Sequence, residues 1–168
     1  MTEESTDVGL AFAPARHDHR RCIAEALDKA AALCASRGAR LTELRRRVLE
    51  LVWRSHEPVG AYAVLEQLQR DRGGAAPPTV YRALDFLRAQ GLIHRLESLN
   101  AFIGCPTPER RHNSQFLICI GCGGVAEIDD PRIDAAIAGS AERQGFTVEH
   151  LTVELQGRCP ACNAAHAG

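Results

Sequence analysis

The chain has 168 residues, 45% of them hydrophobic and 24% charged, with a formal net charge of −1. No apolar run reaches the ~18 residues that span a bilayer, and the acidic start Met1-Thr2-Glu3-Glu4 lacks the basic and apolar regions of a secretory signal. These features exclude a membrane protein and a disulfide-built secreted scaffold; seven cysteines, an odd number, suit a reducing cytoplasm.

The small net charge conceals an asymmetry. Residues 16–95 hold fifteen basic against nine acidic side chains, whereas residues 96–168 hold five against nine. A basic first half beside an acidic second half directs any polyanion to the first. Lys29 is the only lysine, and arginine suits forked contacts to phosphate and guanine.

In chain order, residues 1–20 read as a flexible tail. Ile23, Leu27, Ala30, Ala31 and Cys34 then form the apolar stripe of a helix over about 22–36, ended near Gly38. Thr42 is placed to cap the next helix, which buries Leu44, Val48, Leu51 and Val52. A third helix runs over about 61–70. A fourth opens at Pro77-Pro78 and buries Val80, Ala83, Leu84 and Leu87, leaving Thr79, Tyr81 and Arg82 in its first turns and off that face. Gly91 ends it. Alternation in 92–96 and 101–104 around Ser98-Leu99-Asn100 predicts a hairpin. Helices followed by a hairpin make a winged helix-turn-helix over 21–104, in which the start of the second helix of the motif meets base edges. Thr79, Tyr81 and Arg82 are the expected readers, with Arg40 and Arg45 supporting them from the preceding helix.

Residues 105–113 read as a hinge, and 114–168 as a small α/β dimerisation domain: strands near 115–119, 124–128 and 147–155, with a helix over about 131–143 capped by Asp129 or Asp130. Two Cys-x-x-Cys pairs, Cys119/Cys122 and Cys159/Cys162, have the donor set of a closed four-thiolate zinc site. Paired redox motifs are the competing reading, but neither pair sits in the strand–helix setting that such a site needs. So thin a unit needs zinc or association to fold.

A closed cage cannot report metal supply, so a second, mixed site is expected at the hinge. His94, Cys105, His112 and Glu127 are the candidate ligands, and the thiolate favours zinc over ferrous iron. Two zinc ions per monomer are therefore expected, one structural and one regulatory. A third site involving His150 is a weaker alternative.

Arg40-Leu41-Thr42, the run Ala76-Pro77-Pro78-Thr79-Val80-Tyr81-Arg82-Ala83-Leu84-Asp85-Phe86-Leu87, Gly91-Leu92-Ile93-His94 and the paired CxxC motifs resemble the ferric uptake regulator family, most closely its zinc-sensing branch. The resemblance covers about residues 33–162. It departs at Glu43-Leu44-Arg45, where relatives carry a Pro-Gln-Arg type of run. It implies a homodimeric, metal-dependent transcription factor with an N-terminal winged helix and a C-terminal α/β dimerisation domain. By position, His94, Cys105, His112 and Glu127 match the sensor ligands of the zinc branch. The expected function is a zinc-responsive repressor that binds double-stranded operator DNA at zinc-uptake genes, with no membrane partner, no small-molecule substrate and no enzymatic activity. An iron- or peroxide-responsive regulator is one alternative, although the single histidine of Arg110-Arg111-His112-Asn113 argues against it. A zinc-ribbon interaction module without DNA is another. A zinc deaminase is excluded because no His-x-Glu precedes the cysteine pairs.

Overall fold

The computed structural model describes residue 12 and residues 19–54, 57–72, 76–110 and 112–166. The chain forms two compact units, Arg16–Arg111 and His112–Gly168, the second taking in Phe12. Most of the expected tail over 1–20 lies outside the described residues, but the first helix already includes His19 and Arg20.

The first unit contains α1 (His19–Ser36), α2 (Glu43–Val52), α3 (Ala61–Arg72), α4 (Pro77–Ala89) and a hairpin of β1 (Ile93–Leu96) and β2 (Ala101–Gly104). Leu27, Ala30 and Cys34 point α1 into the core. Ala31, expected on that stripe, is exposed, because the 27–30–34 spacing already fills the inward face. Gly38 and Gly91, at φ +64° and +68°, end α1 and α4 in the same way. The next amide reaches back five residues, Ala39 N to Cys34 O at 2.8 Å and Leu92 N to Leu87 O at 2.9 Å. A left-handed glycine makes that closure cheap. Thr42 caps α2 as expected, its side chain accepting from Arg45 N.

One apolar cluster joins these elements: Val48, Leu49 and Val52 of α2, Val64 and Leu68 of α3, Val80, Leu84 and Leu87 of α4, and Ile93 and Phe102 of the hairpin. Phe102 also exchanges backbone hydrogen bonds with Val59, at 2.8 and 2.9 Å. The segment before α3 is thereby stitched to the wing. The segment after the wing is held by Lys29, whose Nζ lies 3.4 Å from Glu109 Oε1.

The second unit contains β3 (Ser114–Cys119), β4 (Val125–Ile128), α5 (Pro131–Glu142), β5 (Thr152–Gly157) and α6 (Pro160–His166). The sheet order is β4-β3-β5, with β3 antiparallel to β4 and parallel to β5. Asp130 caps α5, its side chain accepting from Arg132 N at 2.9 Å. Two expectations need correction. The strand expected over 147–155 begins only at Thr152, whose partner Ser114 is the first residue of β3; among the described residues, those before it pair with no neighbouring strand. Helix α6 was not anticipated, because its seven residues are too few to show a periodic stripe; following β5, it gives Cys159 and Cys162 the strand–helix setting that neither cysteine pair was expected to have.

Trp53, half-buried against the first core, closes over the wing. A Cβ added to Gly104 would collide with the Trp53 indole, so only glycine admits the indole. Gly104→Ala should therefore destabilise the first unit by about 1–3 kcal/mol, as overpacking does. Chemical denaturation followed by Trp53 fluorescence measures this; an unchanged midpoint would mean that the indole is not seated on this glycine.

Candidate metal centres and nucleic-acid face

The parallel register of β3 and β5 sets Cys119 opposite Gly157, and Ile120 N donates to Gly157 O at 2.8 Å. The two Cys-x-x-Cys turns are thus delivered to the same end of the sheet. Cys119 closes β3, Cys122 lies in the turn to β4, Cys159 precedes α6 and Cys162 lies within it. The four Sγ atoms all fall within 4.8 Å of one another.

This cluster fits zinc. Tetrahedral zinc–sulfur bonds of about 2.3 Å imply sulfur–sulfur edges of about 3.8 Å, and Cys122 Sγ lies 3.8 Å from Cys159 Sγ. Cys159 N donates to Cys119 Sγ at 3.2 Å, and that amide, with a second from Cys122, holds the Cys119 thiol down at about 6. Cys162 is pushed up to about 12, first by its contact with Cys159 and then by Cys119. Crowded thiols resist ionising together, and a dication at their centre reverses that resistance. Gly121 makes room for the cage, since a Cβ there would lie 3.0 Å from Cys162 Sγ.

The other expected ligands form two pairs, one in each unit. In the first unit, His94 pairs with Ile103 across the hairpin, and Cys105 follows two residues later. Strand alternation puts His94 and Cys105 on one face, with their donor atoms within 4.8 Å; Cys105 is buried. In the second unit, Glu127 is the antiparallel partner of Phe116. His112 precedes Phe116 by four residues and so falls on the same side. His112 Nε2 lies 2.8 Å from Glu127 Oε1, with their side chains only 8% and 12% exposed. An imidazole and a carboxylate removed from water together need a strong partner. His150, expected on the third strand, lies before β5 and is exposed; it belongs to no cluster of three or more donors among the described residues.

The exposed face of α4 carries Thr79, Tyr81, Arg82, Asp85 and Arg88, while Val80, Ala83, Leu84 and Leu87 are buried. No side-chain hydrogen bond caps its start; Pro77 and Pro78 carry no amide N–H, and the next two amides, Thr79 N and Val80 N, both donate to Ala76 O, at 3.0 and 3.3 Å, so an anion at this end would be met by side chains. Arg40 is exposed. Arg45 is half-buried: its Nη1 donates to Arg40 O at 2.6 Å, and its guanidinium lies 3.5 Å above the Phe86 ring of α4. Tyr62, in the first turn of α3 and 73% exposed, was not anticipated. Its one sequence signal is a tyrosine lying off the Val64–Leu68 stripe.

Residues 36–156 match the model of the ferric uptake regulator family. The chain belongs to that family. The match stops short of Cys159 and Cys162, so the second half of the cage rests on the geometry above. Similar proteins include the zinc uptake regulation protein of Escherichia coli (strain K12), 38% identical over 139 residues, which span 82% of this chain and 81% of that protein. Among solved structures, a zinc uptake regulator complexed with zinc and DNA is similar at a TM-score of 0.83 and 37% identity, over 87% of this chain and 98% of that one. Holo XcZur is similar at 0.76 and 40% identity, over 82% and 96%.

Cys159→Ser should remove one tightly held zinc per chain and melt the second unit, because a structural zinc site couples binding to folding. Metal analysis with far-UV circular dichroism reads both effects. Full zinc content and unchanged ellipticity would mean that the four cysteines do not form a structural site.

Proposed function

We propose that the chain is a cytoplasmic, zinc-responsive transcriptional repressor that acts as a homodimer on operator DNA of zinc-uptake genes and has no enzymatic activity. The observation that carries this reading is the likeness to the Escherichia coli zinc uptake regulation protein, reinforced by that to a regulator solved with zinc and DNA. No described helix is long and apolar enough to cross a membrane.

Two zinc ions per chain follow from the donor sets. Cys119, Cys122, Cys159 and Cys162 would hold the structural ion. His94, Cys105, His112 and Glu127 would hold the regulatory one, His94 and Cys105 from the first unit and His112 and Glu127 from the second. A zinc ion held by all four would join the two pairs of donors. The Cys105 thiolate selects zinc over ferrous iron, which prefers harder donors, and this sets aside the iron- and peroxide-responsive alternatives.

Homodimerisation is supported by what the second unit leaves uncovered. Helix α5 buries no residue, and Ile120, Phe146 and Leu155 are exposed at 63%, 66% and 45%. Strand β5 lies at one edge of the sheet formed by the described residues, where association between sheets occurs. A two-fold dimer presents two copies of α4 to half-sites ~34–36 Å apart, or a multiple of that.

On DNA, Arg82 reads a base edge with its forked donors, while Thr79 and Tyr81 contact the base methyl or the phosphate. Tyr62 lies on the first helix of the motif, the one that crosses the backbone. Arg40 supplies charge to phosphate from before α2, and Arg45 from its first turn.

Operator binding by the full-length protein should rise with buffered zinc and not with equal buffered iron or manganese. Cys105→Ala should abolish that zinc dependence while the dimer and the structural zinc persist. Retention of zinc-dependent binding would place the sensor elsewhere.

Arg82→Ala should cost about 1–3 kcal/mol and relax base preference at one position of each half-site, whereas Arg45→Ala should weaken binding to all sequences alike. Affinities for a panel of operator variants at several salt concentrations separate the two. Unchanged discrimination by Arg82→Ala would remove α4 as the reader.

A further inference from the structure

Gln115 is fully buried, and a buried amide needs partners for its donors and acceptor. Its Nε2 donates to Asp134 Oδ1 at 2.7 Å and to Asp130 O at 3.0 Å, and its Oε1 accepts from Asp130 N at 3.2 Å. Asn113 Nδ2 donates to the other oxygen of the same carboxylate, Asp134 Oδ2, at 2.8 Å. Asp134 of α5 therefore receives one amide on each oxygen.

The placement of this clamp carries its meaning. Strand alternation sends Asn113 and Gln115 to the α5 side of the sheet. His112 and Phe116 go to the other side, where Glu127 stands across from Phe116. Strand β3 begins at Ser114, and His112 stands two residues ahead of it. The side chain of its neighbour Asn113, held on Asp134 of α5, anchors the chain at that point. Both Asp134 oxygens thus accept from amides on this side of the sheet.

We propose that Asn113, Gln115 and Asp134 are positioning residues that hold His112 against Glu127 for the regulatory zinc, working from the opposite face of the sheet. The proposal rests on the reading of His112 and Glu127 as ligands. Residues that orient metal ligands typically govern affinity by about 10–100-fold.

The test uses the full-length dimer and zinc competition against a chromophoric chelator. The first, tighter equivalent reports the four-cysteine centre and thus folding. Asn113→Asp sets a second carboxylate against Asp134 and should weaken the second equivalent by about 10–100-fold with the first unchanged. Added negative charge alone would tighten zinc, so the direction of change is diagnostic. Asp134→Asn in the same chain restores a donor opposite an acceptor and should return the second equivalent to the wild-type affinity. Asn113→Ala, which removes the donor without adding charge, should weaken it to a lesser degree and keeps the test open should Asn113→Asp disturb folding. Unchanged or tighter zinc in both single variants, or no recovery in the double variant, would overturn the proposal. His112→Ala, measured alongside, separates the two readings. If it keeps the second equivalent, the ligand assignment is wrong; if it loses it while the Asn113 variants bind normally, the clamp is wrong.

Discussion

The second unit depends on one long-range pairing, that of β3 with β5. Its parallel register sets Cys119 opposite Gly157, and from there two residues of chain reach Cys159. Without that register the two Cys-x-x-Cys turns are far apart in sequence and have no reason to meet. With it, four thiols share a space that fits one tetrahedral dication. Among the described residues the unit has few other resources: its buried apolar side chains are Phe116, Ile118, Ala126 and two of the cysteines themselves. A core this small leaves folding to a metal staple and to association through exposed apolar surface. Helix α5 has no fully buried residue and adds little apolar burial to this core.

The first unit is built on the opposite economy. Four helices and a hairpin share one contiguous core, and its arginines are spent on geometry as well as on charge. Arg47 Nε reaches Asp71 Oδ2 at 3.0 Å, and Gln67 Nε2 donates to Asp71 Oδ1, also at 3.0 Å, so α2 is tied to α3. Arg37 Nη1 donates to Gln90 O at 2.6 Å, so the end of α1 is tied to the end of α4. Arg45 ties α2 to α4 through Phe86. These contacts fix the helix that presents Tyr81 and Arg82 to solvent. A rigid reading helix loses less entropy on meeting a duplex, which favours affinity through preorganisation.

In the proposed regulatory site, each unit contributes a pair of donors that its own secondary structure has already set. The hairpin register aligns His94 with Cys105, and the β3–β4 register places Glu127 on the side occupied by His112. Each pair alone is an incomplete coordination sphere, so a four-ligand ion would bind tightly only when both units supply their halves. The energetic link between metal and DNA would then be the difference in zinc affinity between arrangements that join the pairs and those that do not.

Much of this was legible in the amino-acid sequence because it is encoded locally. The Thr42 cap, the glycines that end α1 and α4, the two-faced pattern of Val80 to Leu87 and the hairpin all follow from periodicities of a few residues, and all form where the pattern put them. The cysteine pairs announced a metal because their chemistry and spacing allow few other uses. Tertiary structure decided the remainder. The start of β5 was set by where β3 begins, not by its own alternation. Gln115 reads as the polar residue just ahead of an apolar run until α5 provides Asp134. Trp53 gives no hint of Gly104, fifty-one residues away. Arg45 looks like any other basic side chain until Phe86 lies beneath it. Local patterns determine which face of an element is apolar; which partner that face meets depends on contacts between residues distant in the chain, and only the folded core selects among them.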